Sequence, residues 1–114
     1  MERDRESVGL TSASQALISD LDALGWFSDA QDAARFCMAY AMRSGVAPGT
    51  SAGTDTRWAA GNFDKTGEIR ALIMALYPTS ETPVRLMEYF VNEGLRLVAD
   101  RVRSDGVGPS DLLV

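Results

Sequence analysis

Any reactive centre in this sequence has to be built without imidazole, because its 114 residues include no histidine. That removes the commonest general base, the commonest metal ligand and every histidine-containing triad. Gly49-Thr50-Ser51-Ala52-Gly53 fits the G-x-S-x-G pattern of an exposed nucleophilic serine. The pattern works only with a strand before it, a helix after it and a histidine base. Here the flanks read as loop, so Ser51 is expected in a polar loop. Cys37 is the single cysteine, which excludes an internal disulfide and any multi-cysteine zinc site. Among Phe36, Met38 and Tyr40 it reads as a buried, inert thiol.

The oxygen donors fare no better. Asn62-Phe63-Asp64-Lys65-Thr66-Gly67-Glu68-Ile69 follows the opening of an EF-hand loop, but the twelfth position, which needs a bidentate glutamate, is Ile73. Asp64-Lys65-Thr66-Gly67 echoes a phosphorylated-aspartate motif that needs a far larger α/β domain. Asp64 is instead expected to cap the following helix. Asp20/Asp22 and Asp29/Asp32 do not suggest a shared pocket, and Asp29 and Asp32 fit the negative charge favoured at a helix start. Glu88, Glu93 and Asp100 are spaced to pair with Arg85, Arg96 and Arg103 along a solvated edge, with Asp100–Arg103 an i,i+3 pair. No catalytic, cofactor-binding or metal-binding residue is therefore assigned, and a non-enzyme without cofactor is expected. Thr56-Arg57-Trp58 stands apart. Arg57 and Trp58 are the candidate partner-binding residues, since an arginine beside a tryptophan can stack on a partner or pair with a carboxylate or phosphate. The competing reading makes Trp58 a hydrophobic plug covered by Arg57.

The length allows one domain, and the 46% apolar and 24% charged composition is that of an ordinary globular protein. Eleven basic against sixteen acidic residues give a net charge of −5, with a pI near 4.6. That balance disfavours general binding to a phosphate backbone. Met1-Glu2-Arg3-Asp4-Arg5-Glu6 has no apolar stretch behind it, and no run of about 18 apolar residues occurs anywhere. A cytoplasmic protein without a membrane segment is expected.

The elements that would position these residues are mostly helical. Ser7–Thr11 is a candidate short strand. Ala13, Leu17, Leu21 and Leu24 mark a first helix over Ser12–Leu24, ended by Gly25 in a left-handed cap. Ser28 and Gln31 read as a capping box for a second, alanine-rich helix over Asp29–Arg43, expected at the centre of the fold. Residues 44–64 read as one long Gly-rich loop whose second half Trp58 and Phe63 pin to the core. Ile69, Leu72, Ile73 and Leu76 give a third helix over Thr66–Leu76. The fourth starts at Thr82 or Pro83 and ends near Arg103. The fold class expected is mainly α: a four-helix single domain over residues 1–106, with residues 107–114 a flexible tail.

That fourth helix carries Val84, Met87, Val91, Leu95, Val98 and Val102 on one stripe and Leu86, Phe90 and Leu97 on another. A small chain has little with which to cover both, so the second stripe, Leu86, Phe90 and Leu97, is the expected oligomer interface.

Ser7–Thr11, Ser12–Leu24, the Gly25-Trp26-Phe27-Ser28 turn and Asp29–Arg43 together resemble ribbon-helix-helix proteins, over about 40 residues. The wider order of elements is similar to the small E subunit of DNA phosphorothioation systems. The first resemblance implies a dimeric strand ribbon whose face enters the DNA major groove, here through Arg3, Arg5 and Ser7. Two features depart from it. Residues 1–48 hold four arginines against seven acids, and the surface lysines of the second family are missing, Lys65 being the only lysine. The expected function is a non-enzymatic, self-associating helical interaction protein, an adaptor or small subunit of a larger assembly, forming a homo-oligomer and meeting a protein partner. The alternatives are a DNA-binding regulator of ribbon-helix-helix type and an acidic immunity- or antitoxin-type inhibitor.

Overall fold

The longest apolar pattern in the chain becomes its organising helix. In a computed structural model that describes residues 3–105, the elements run β1 (Ser7–Leu10), α1 (Ser12–Ala23), α2 (Ala30–Arg43), β2 (Asp55–Ala59), α3 (Ala60–Phe63), α4 (Glu68–Leu76) and α5 (Pro83–Asp105). The protein is mainly helical, with one two-stranded antiparallel sheet. The expected tail, 107–114, lies outside the described residues.

The two longest helices, α2 and α5, pack against each other through their small residues. Ala33, Ala34, Cys37 and Ala41 are fully buried on α2. On α5, Gly94 sits so close to α2 that a Cβ there would lie 1.8 Å from the Cys37 carbonyl oxygen. No side chain fits that gap, so the absence of one at Gly94 sets the distance between the two helices. Burial pushes the Cys37 thiol up to about 12, keeping it protonated and unreactive.

Local capping explains most helix starts. The Thr11 hydroxyl accepts a hydrogen bond from the Ser14 amide (3.1 Å) and starts α1. Gly25, at φ +74°, ends that helix region as expected. The α2 cap is Asp29, which accepts from the Asp32 amide at 2.8 Å; the hydroxyl of Ser28, the residue expected to cap, donates to the Asp32 carboxylate instead. Asp64 caps α4 as its sequence position implies, accepting from the amides of Ile69 (3.0 Å) and Arg70 (2.9 Å). That helix begins at Glu68 rather than Thr66, after Gly67 in a left-handed conformation.

Three expectations need correction. The described residues form five helices, not four, and the long loop is irregular only before β2; its second half folds as β2 and α3. Trp58 and Phe63 do pin that half, with ring centroids 5.7 Å apart and Phe63 fully buried. Second, α5 needs no partner to cover it. Val84, Leu86, Met87, Phe90, Val91, Leu95 and Val98 are all buried inside one subunit, because β1, α1, α2 and α4 all pack against this helix. Third, Glu88 leaves the expected solvated edge of α5 and is 1% exposed; Glu93 pairs there with Arg96 (3.3 Å) as expected, and Asp100 lies 3.9 Å from Arg96.

Candidate functional site

The N-terminal segment shows how the expected DNA-facing residues are used. Asp4 reaches across the fold to α5, its carboxylate accepting from the amides of Val84 and Arg85, both at 3.0 Å. This supplies the helix start with a negative charge from a residue 80 positions away. Arg85 donates from Nε to the Arg3 carbonyl (2.9 Å). Arg5 lies 3.4 Å from the buried Glu88 carboxylate. Glu88 in turn accepts from the Gly9 amide (2.8 Å). Asn92, one turn later, donates to the Gly9 carbonyl (3.1 Å) and accepts from the Thr11 amide (3.1 Å).

These contacts decide what β1 can do. One edge pairs with β2, with Ser7 opposite Ala59 and Leu10 opposite Asp55. The other is sealed by Glu88 and Asn92, which mimic a neighbouring strand from a helix. Gly9 allows the approach: a Cβ there would lie 2.8 Å from both the Asp55 carbonyl and Glu88 Oε1. Of the three candidate DNA-contacting residues, Arg5 is committed to Glu88, Ser7 shares a hydrogen bond with Thr56 (3.1 Å), and Arg3 alone is exposed. The structure does not gather them into one outward face.

Arg57 and Trp58 are brought together at the surface. The register shift in the β1–β2 ladder leaves Arg57 as the extra residue, since Val8 pairs with Trp58 and Gly9 with Thr56. Such a bulge re-aims the inserted side chain. The Arg57 guanidinium carbon sits 5.3 Å from the Trp58 ring centroid, Trp58 packs on Phe63, and Arg35 lies 5.3 Å over Phe63 from elsewhere. Arg35 is fixed further by donating to the Phe63 carbonyl (2.9 Å) and to Asp32 (2.6 Å). The result is a run of cation, two aromatic rings and cation. Trp58 does plug the sheet and Arg57 does cover it, yet Arg57 remains exposed and forms no ion pair among the described residues.

The expected oligomer interface is not a surface. Leu86 is 3% exposed and Phe90 is fully buried, against Tyr77 (5.3 Å) and Tyr89 (5.9 Å). Leu97 is half-buried on the wall of a shallow cleft with Tyr40 and Arg101. The apolar surface lies on α4 instead: Leu72 and Met74 are 50% exposed and Leu76 is 56% exposed. Only Ile73 of this helix is buried. The sequence held a signal for this in the six consecutive apolar residues Ala71–Leu76. A nine-residue helix on one core needs an apolar stripe, not an apolar circumference. The start of α4 adjoins the aromatic run, because Ile69, Lys65 and Glu68 line a cleft with Phe63 and Arg35.

Ser51 lines a separate cleft of about 310 Å³ with Thr11, Ser14, Tyr89, Glu93 and Arg96. Its motif is preceded by irregular chain and followed by β2, so the strand–turn–helix geometry of a nucleophile elbow is not formed. Arg96 there is bound to Glu93 (3.3 Å), which raises its already high pKa. Among the described residues no cluster of three metal-ligating side chains occurs, and no helix is long and apolar enough to cross a membrane.

No family model matches this chain, and neither a curated protein nor a solved structure shows significant similarity to it.

Proposed function

We propose that this protein is a non-enzymatic, self-associating helical interaction protein, an adaptor or small subunit of a larger assembly, and that it associates through α4. The observation that carries this reading is the exposure of Leu72, Met74 and Leu76 on a helix with one buried residue. Large apolar side chains grouped on one short element mark interaction sites more often than the same residues scattered singly. Covering the exposed half of each contributes about 1 kcal/mol. Arg57 on Trp58 supplies the polar complement: a guanidinium already ordered by its ring, so that little rotamer freedom is lost when it meets a carboxylate.

Light scattering coupled to size exclusion across a concentration series tests the proposal. The expected result is a mass that rises above the monomer with concentration and returns to the monomer in Leu72→Asp/Leu76→Asp. A monomer at every concentration ends it. Neither alternative gains a specific observation. DNA binding would rest on Arg3, and inhibition of a basic partner on net charge alone.

A further inference from the structure

The two edges of the sheet are finished differently. Glu88 and Asn92 of α5 seal the outer edge of β1, whereas among the described residues β2 pairs with β1 alone. Its other edge faces water, with Asp55, Thr56, Arg57 and Ala59 all exposed. An edge of unpaired N–H and C=O groups can accept another strand. The exposure continues along the chain. Between Asp55 and Leu76 the only buried residues are Phe63 and Ile73, so β2, α3 and α4 make one continuous outward segment.

A stable dimer buries about 800 Å² per partner, and the three half-exposed side chains of α4 fall well short of that. A second element has to join them, and the charges on β2 specify how. Asp55 and Arg57 flank Thr56, both are exposed, and neither has an ion pair among the described residues. Opposite charges placed evenly about one residue are their own complement. When two such strands run antiparallel with Thr56 opposite Thr56, each Asp55 lies opposite the Arg57 of the other copy. Opposite charges across an antiparallel pair attract, and like charges repel. Arg57 and its bulge meanwhile deter strands of other patterns.

We infer that β2 joins the β2 of a second copy, antiparallel about a two-fold axis at Thr56, to make a four-stranded sheet in the order β1–β2–β2–β1. Both copies then use the same patch, as a two-fold interface requires. The inference rests on the proposed self-association and supplies its register: α4 contributes apolar area, and the two Asp55–Arg57 pairs admit one orientation.

Charge reversals followed by size exclusion with light scattering test it. Asp55→Arg leaves two arginines on each strand, and Arg57→Asp leaves two acids. Each variant alone should associate about tenfold more weakly than the unaltered chain, or worse. An equimolar mixture should recover the unaltered affinity, because the doubly basic strand then meets the doubly acidic one. Full association of either variant alone, or a mixture no better than its components, overturns the pairing and leaves the α4 reading in place. A monomer at every concentration of the unaltered chain removes both. Oxidative cross-linking gives a readout specific to position, with buried Cys37 no competitor. A disulfide between chains should form about tenfold faster in Thr56→Cys, on the axis, than in Ala59→Cys, which the same register holds roughly 20 Å from its own counterpart. Equal rates also overturn the inference.

Discussion

The helices α4 and α5 invert what their sequences suggest. The nine residues of α4 present a clean 3.6-residue stripe at Ile69, Leu72, Ile73 and Leu76, yet only Ile73 is buried. The twenty-three residues of α5 carry charges throughout, yet this helix supplies seven buried apolar residues as well as buried Glu88 and Asn92. The difference lies in neighbours rather than in composition. Strand β1 and helices α1, α2 and α4 all pack on α5, whereas α4 packs chiefly on α5 alone. Periodicity tells which face of a helix prefers burial; topology decides how many elements arrive to bury it.

Substitutions at the two helices should separate widely in effect. The largest loss is expected for Gly94→Ala, because its new Cβ would meet the Cys37 backbone and force α2 and α5 apart. A cost of about 3 kcal/mol or more, read from urea denaturation or from loss of soluble folded protein, is predicted. If Gly94→Ala is near neutral, the α2–α5 contact is looser than described, and α5 loses its claim to be the rigid centre.

Next is Glu88→Ala, predicted to cost about 3 kcal/mol, since it strands the Gly9 amide and leaves Arg5 without its partner. Arg5→Ala should cost a similar amount by leaving the Glu88 carboxylate unpaired. The double substitution should cost clearly less than the sum. Additive losses would show that the two side chains do not act as a pair.

A pH series sharpens the contrast further. Burial raises the Cys37 pKa from 9.0 to about 12, so the folded protein holds a proton that the unfolded chain releases first. The sign follows directly. Stability is unaffected by this group below pH 9.0 and falls above it, by about 1.4 kcal/mol per pH unit, until the folded-state thiol itself ionises. Cys37→Ala should abolish that component, and an identical alkaline slope in the variant would remove Cys37 from the core.

The smallest effect belongs to α4. Leu72→Asp/Leu76→Asp should alter monomer stability by about 0.5 kcal/mol or less, because both side chains are half in water already. The same variant should lose self-association entirely. A large loss of stability would mean that α4 is buttressed from within after all.

What the sequence made legible was local. The boundaries of α2 and α5, the Asp64 cap and the reversal at Gly25 each depend on residues a few positions apart. What stayed hidden was the partner of a charge. Spacing along α5 offered Glu88 an arginine on its own helix, but its actual partners, Arg5 and the Gly9 amide, are about 80 residues away and no periodicity links them. Strand β2 was hidden for a related reason. Asp55-Thr56-Arg57-Trp58-Ala59 shows no alternation, because the bulge at Arg57 interrupts the two-residue period by which strands are recognised. Arg57 and Trp58 were found by residue type. Leu72 and Leu76 are exposed although they lie on a regular stripe, and Met74 is exposed off it; periodicity along α4 does not reveal how few elements pack against it.

The stitching of Asp4, Arg5, Gly9 and Thr11 onto α5 has a consequence for how the molecule is made. During synthesis the opening strand leaves the ribosome long before the helix that seals its outer edge has been translated. Until then its backbone groups can be satisfied only by water or by the wrong neighbour. Sealing of that edge therefore waits for α5, the last element among the described residues, even though the other edge can pair with β2 earlier.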